Sequence, residues 1–229
     1  MFIVGHRGAR ARAPENTLRA LERGIGCADV VEVDVRLSRD RVPVVIHDAT
    51  LERTTDGRGA VGRFTANELA RLDAGEGEKI PLLEEAVACA AGRAGLFVEI
   101  KERGSEEAVC RTLRDHPLDT IVVVSFHRES IERVRALLPG LRTGLISSRS
   151  DPDPVETAAA IGADAVLPGK DLLTADLVGR AHHRGLIVIP WVLNSADEVA
   201  KAGRLGADGF ATDDPCAARG WLTPPEIPL

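Results

Sequence analysis

The sequence predicts a closed parallel (β/α)₈ TIM barrel, and three observations carry that expectation. Short β-branched runs alternate with longer Ala/Leu/Glu/Arg segments along the 229-residue chain. The runs are continuously apolar, as expected of parallel strands covered by helices. Two helix-to-strand joints echo one another, Ile161-Gly162-Ala163-Asp164-Ala165 and Leu205-Gly206-Ala207-Asp208-Gly209, as when one βα unit is reused. An open Rossmann-type sheet fits less well, because no Gly-rich turn follows the first run. Residues 1–229 read as one barrel domain.

The first strand covers 2–5 and leads into a helix over 17–26, which Asn16 or Thr17 can cap. A second strand covers 30–36, with a further run at 42–46 beside it. Residues 48–79 break the alternation. They are too long for a bare connection, carry a helical stretch at 66–72, and predict a small insertion over one barrel end. Helix 81–91 then leads to strand 96–101, helix 106–115 to strand 120–126, and helix 128–138 to strand 143–146. Helix 153–161 precedes strand 165–168, helix 174–184 precedes strand 187–192, and helix 196–205 precedes strand 209–212. Thr174 and Ser195 stand where N-caps belong, and Gly140, Gly162, Gly185 and Gly206 where helices stop. A short helix over 214–221 closes the pattern.

With 44% hydrophobic and 28% charged residues, the composition is that of a soluble globular protein. A net charge of −6 argues against nucleic acid as a partner, while leaving room for a local basic pocket. The first residues enter a strand at once, with no signal-peptide pattern and no apolar run able to span a bilayer. Cys27, Cys89, Cys110 and Cys216 form no C-x-x-C pair and read as free buried thiols of a cytoplasmic protein. Self-association is left open.

The most informative residues are acidic. Glu32 and Asp34 share one face of their strand, with Val31, Val33 and Val35 on the other, and Glu99 interrupts the apolar run Phe97-Val98-Glu99-Ile100. Inward carboxylates are costly to keep ionised unless something neutralises them. Arg7 or Lys101 could serve, but a bound divalent cation does so for all three together. In a parallel barrel, function gathers at the carboxyl ends of the strands. There the chain places His6-Arg7-Gly8, His47-Asp48, Lys101, Ser125-Phe126-His127, Lys170, Trp191, Asn194 and Asp213-Asp214. Two histidines at neighbouring strand ends suit proton transfer. Gly57-Arg58-Gly59-Ala60-Val61-Gly62 matches G-x-G-x-x-G but follows no strand, so the dinucleotide reading fails on context.

Taken in order, the phrases His6-Arg7-Gly8, Pro14-Glu15-Asn16-Thr17, Glu32-Val33-Asp34-Val35, Pro43 to Asp48, Leu51-Glu52-Arg53-Thr54-Thr55, Val98-Glu99-Ile100-Lys101, Trp191 with Asn194, and Gly209 to Pro215 resemble the glycerophosphodiester phosphodiesterase family. The resemblance covers essentially the whole chain. It implies a TIM barrel that hydrolyses glycerophosphodiesters to glycerol 3-phosphate and an alcohol with a divalent cation, Mg²⁺ or Ca²⁺. It also implies Glu32, Asp34 and Glu99 as metal ligands and His6 and His47 as the acid/base pair. Arg7 and Lys101 would contact phosphate, with Trp191 lining the pocket. The chain lacks the Thr often found after the Trp, a departure that bears on selectivity. The alternative is a lysophospholipase D-like enzyme acting on lysophospholipids, which calls for an apolar channel at the barrel mouth.

Overall fold

The computed structural model describes residues 1–149 and 153–222. Strands β1 (Phe2–Gly5), β2 (Val30–Leu37), β4 (Gly95–Ile100), β5 (Ile121–Ser125), β6 (Arg142–Ser147), β7 (Ala165–Pro168), β8 (Ile187–Val188) and β9 (Gly209–Thr212) run parallel in the order β8-β7-β6-β5-β4-β2-β1-β9. Between them lie α1 (Leu18–Ile25), α3 (Leu83–Ala90), α4 (Glu106–Leu113), α5 (Arg128–Leu137), α6 (Pro154–Ala160), α7 (Ala175–His183), α8 (Ala196–Leu205) and the closing α9 (Pro215–Leu222). Backbone bonds from Asp208 N to Val188 O (3.0 Å), Ala211 N to Pro190 O (3.0 Å) and Leu193 N to Ala211 O (2.9 Å) bring the last strand against the β8 segment and close the barrel. The expected strand over 187–192 is regular only at its start, because Pro190 has no N–H to give the ladder. The run expected at 42–46 is β3 (Pro43–Val45), a short antiparallel partner of β2 outside the barrel.

The core has two layers. Val4, Phe97, Val122, Val124, Ile146, Ala165, Leu167, Ile189 and Ala211 fill the barrel interior. Val31, Val33, Val35, Val98, Ile100 and Val123 face outward onto Leu21, Leu83, Val87, Val109 and Val134 of the helices. The period of two therefore sends positions 30, 32 and 34 of β2, and 97 and 99 of β4, toward the axis. The caps are as expected. Thr17, Thr174 and Ser195 accept from Ala20 N, Leu177 N and Glu198 N, and Gly206 closes α8 at φ +90.

Residues 48–79 pack Leu51, Val61, Leu69 and Ala74 against Val44, Ile46 and Ile80. Their helical stretch is shorter than expected, confined to α2 (Ala66–Leu69), which Thr65 and Glu68 cap reciprocally.

The expectation of four free thiols is corrected. Cys27, after α1, and Cys216, in α9, form a disulfide with Cα atoms 4.8 Å apart. Their spacing of 189 residues carries no local signal, and only barrel closure brings the two ends together. Cys89 and Cys110 are free, and burial pushes both thiols up to about 11, which disfavours the thiolate. The cytoplasmic expectation drew on free thiols and loses that support. Among the described residues no helix is long and apolar enough to cross a membrane.

Candidate active site

The parallel register of β2 and β4 pairs Asp34 with Glu99, and Glu32 lies one inward position earlier on β2. Oxygens of all three carboxylates fall within 4.8 Å of one another. Asp34 is 0% exposed, Glu32 7% and Glu99 8%, so the cluster is deeply buried, with only the edges of Glu32 and Glu99 reaching solvent.

The turn after β1 meets it. Arg7 has φ +53 and Gly8 φ +80. A Cβ on Gly8 would stand 2.4 Å from the Ala20 carbonyl, so the tight passage under α1 demands glycine there. The turn aims Arg7 N at Glu32 Oε2 (2.8 Å), and it brings Arg7 Nε within 3.1 Å of Asp34 Oδ2. Asn16, also left-handed at φ +60, donates from Nδ2 to Asp34 Oδ2 (2.8 Å) and accepts from Asp34 N at Oδ1 (3.1 Å). Lys101 Nζ lies 2.5 Å from Glu99 Oε1 and 3.4 Å from Asp34 Oδ1.

Arg7 and Lys101 thus pair with the cluster, the alternative to a metal that the sequence allowed, but they do not satisfy it. Glu32 Oε1 and Asp34 Oδ1 are buried without a hydrogen-bond partner. Burial, then Asp34 and Glu99, pushes the Glu32 carboxyl well above its ordinary value. Burial and Asp34 push Glu99 up to about 7. Asp34 goes the other way: burial would raise it, but Lys101 and Arg7 outweigh that and hold it low. Three carboxylates against two cations leave negative charge over, and the orphaned oxygens mark where a further cation would sit. An all-oxygen donor set fits a hard ion such as Mg²⁺ or Ca²⁺.

The two histidines flank the same cavity, of about 200 Å³, lined by His6, Arg7, Glu32, His47, Glu99 and Lys101 above an apolar floor. Each is anchored through Nδ1. His6 Nδ1 lies 2.7 Å from Asp213 Oδ1, and Asp213 is itself held by Asn194 Nδ2 at its Oδ2 (2.8 Å). Burial raises the Asp213 carboxyl, but the bonds to His6 and Asn194 prevail and keep it below the usual range. His47 Nδ1 lies 2.6 Å from Asp48 Oδ1, and the His47 carbonyl accepts from Arg36 Nε (2.8 Å). Burial pushes the His47 imidazole below its ordinary value, against the pull of Asp34. In both, Nε2 is the nitrogen left to the cavity.

Trp191 donates from Nε1 to Leu167 O (2.8 Å), and its ring meets Phe126 edge-on at 5.6 Å. Phe126, 40% exposed, forms the outer wall, with Lys101 Nζ 5.8 Å from its ring centre. Of the strand-end groups, Lys170 turns away to Glu198 (2.7 Å), and His127 merely precedes α5. Asp213, Asn194, Asp48, Arg53, Glu15, Asn16 and Phe126 stand at strand ends or in matching phrases, but the sequence assigned them no role in the chemistry, Asn16 only a candidate helix cap. Strand parity was the available signal for Phe126 and Asp213, which share the inward phase of Val124 and Ala211.

Residues 6–217 match the model of the glycerophosphoryl diester phosphodiesterase family. A glycerophosphodiester phosphodiesterase of Caldanaerobacter subterraneus is 32% identical, covering 93% of this chain and 94% of its own. One from Bacillus altitudinis is 31% identical, covering 93% and 94%. Among solved structures, an Oleispira antarctica phosphodiesterase in complex with the product sn-glycerol-3-phosphate superposes with a TM-score of 0.91 at 29% identity, covering 97% of this chain and 96% of that one.

Proposed function

This chain belongs to the glycerophosphoryl diester phosphodiesterase family, and we propose that it hydrolyses small glycerophosphodiesters to glycerol 3-phosphate and an alcohol, using a divalent cation and the pair His6 and His47. The observation that carries this reading is one cavity bordered by under-neutralised carboxylates and two imidazoles, each anchored through Nδ1.

Glu32, Asp34 and Glu99 would hold the cation, which when bound supplies positive charge against the phosphoryl oxygens. Arg7 and Lys101, already at the cluster, add charge where the phosphodiester would develop it. Burial works against both cations, but the neighbouring carboxylates outweigh it and keep them charged. One imidazole takes the proton that the nucleophile loses, and the other returns one to the departing alkoxide. Such steps contribute about 10²–10⁴-fold each. Asp213 and Asp48 hold the rings and stabilise the imidazolium as it forms. Residues 1–229 act as one catalytic unit in this reading, with 48–79 part of its mouth.

The product bound to the Oleispira relative is the one this reading assigns here. A lysophospholipid would need an apolar track for its acyl chain. Among the described residues the exposed large apolar side chains are Met1, Phe126 and Ile187, and only Phe126 stands at the mouth. The adjoining groove beyond Trp191 carries Arg149, Lys170, Asp171 and Asn194 instead. A small polar leaving group suits it better.

The test is release of glycerol 3-phosphate from glycerophosphocholine, abolished by chelator and restored by Mg²⁺ or Ca²⁺. Undiminished turnover by the His6→Ala/His47→Ala double variant would sink the reading.

A further inference from the structure

Arg53 belongs to the insertion, yet its guanidinium lies inside the hydrogen-bond network of the site. Its Nε donates to Asp48 Oδ2 (2.6 Å) and its Nη2 to Asp48 Oδ1 (2.9 Å). Its Nη1 and Nη2 also donate to Glu15 Oε2 (3.0 Å) and Oε1 (2.8 Å). Asp48 Oδ1 is the atom that meets His47 Nδ1, and Glu15 Oε1 is the atom that accepts from Arg7 Nη1 (2.6 Å). A single planar fork therefore joins the anchor of His47 to the anchor of Arg7.

The need for such a fork is local. Asp48 is next in sequence to the imidazole it binds, and its side chain is 27% exposed. Left alone, a short carboxylate there has other staggered rotamers facing water. Two parallel N–H donors fix its plane as well as its position, which an ammonium cannot do. Glu15, only 10% exposed, gives the other side of the fork a rigid base.

We propose that Arg53 is a positioning residue for the reaction: it holds Asp48 against His47 Nδ1, so that His47 Nε2 is presented to the cavity in one tautomer and one orientation. The proposal rests on the acid/base reading of His47. The rival is a purely structural role, in which Arg53 only pins residues 48–79 to the barrel.

The full-length, metal-replete protein decides between them through Arg53→Ala and Arg53→Lys, assayed on glycerophosphocholine beside His47→Ala and wild type. We expect kcat to fall about 10- to 100-fold in Arg53→Ala with KM within about threefold. Added guanidinium ion at non-denaturing concentration should restore part of that loss, and lysine should restore little. Arg39→Ala, which removes a contact from Arg39 to Glu68 (3.4 Å) of the insertion, should leave kcat unchanged. In ¹⁵N-histidine spectra, His47 should show one fixed tautomer in wild type and averaged ring nitrogens in Arg53→Ala.

Retained kcat in Arg53→Ala, a loss that guanidinium does not relieve, or an unchanged His47 ring signal would overturn the proposal. If wild type is active and His47→Ala is equally so, the reading of the site fails instead. The ring signal still tests the positioning role in that case.

Discussion

Asn16 and Asp34 grip one another through two bonds: Asn16 Nδ2 donates to Asp34 Oδ2 at 2.8 Å, and Asp34 N donates to Asn16 Oδ1 at 3.1 Å. Asp34 is fully buried at the back of the carboxylate cluster, so this amide fixes which of its oxygens remains free. Asn16→Ala removes both bonds, and Asn16→Asp sets a like charge beside Asp34. Each variant should weaken metal affinity about 10- to 100-fold, read by calorimetric titration of the metal-free protein. Unchanged affinity would show that Arg7, Lys101 and the backbone orient Asp34 without Asn16.

Asp213 is the corresponding support of His6. In Asp213→Asn the amide can present N–H to His6 Nδ1 and favour the wrong tautomer. We expect kcat to fall by about 10²-fold or more while KM changes little, read by steady-state kinetics on glycerophosphocholine. A rise in KM alone would place Asp213 in substrate binding.

Metal binding and pH should be linked with a definite sign. The Glu32 and Glu99 carboxyls are raised in the metal-free fold, Glu99 to about 7, above their ordinary value of 4.5. Between those values the folded protein binds more protons than the unfolded chain. The contribution of these groups is therefore fully present at low pH and is lost as pH rises toward 7. A cation needs them ionised and displaces the protons. The rise in Tm on adding Mg²⁺ or Ca²⁺ should thus be small near pH 5.5 and larger near pH 8, followed by scanning calorimetry. An increment that does not grow with pH would count against the carboxylates as ligands.

The Cys27–Cys216 bridge spans 189 residues and ties the first βα unit to the last helix. A chain-entropy estimate for so long a loop is about 5 kcal/mol, an upper figure for the gain. Reduction, or Cys27→Ser with Cys216→Ser, should lower Tm on the order of 10 °C. A Tm indifferent to reductant would mean that the bridge constrains nothing, or does not form.

The sequence by itself determined the order of the βα units, the helix caps and the inward face of the three carboxylates. These depend on local rules: period two along a strand, and a hydroxyl before a helix. For that reason Glu32, Asp34 and Glu99 read as inward carboxylates, and His6, His47, Lys101 and Trp191 as strand-end groups of one barrel end, from the sequence alone. Tertiary structure decided who meets whom. The β2–β4 register set Asp34 beside Glu99, barrel closure set Asp213 against His6 and Cys27 against Cys216, and the folded insertion returned Arg53 to Asp48 and Glu15. Even the split behaviour of the carboxylates exists only in the folded site: burial and like charge push Glu32 and Glu99 up, while Lys101 and Arg7 hold Asp34 low. Side-chain direction is written in a few neighbouring residues, whereas partnership between distant positions exists only once the barrel has closed around them.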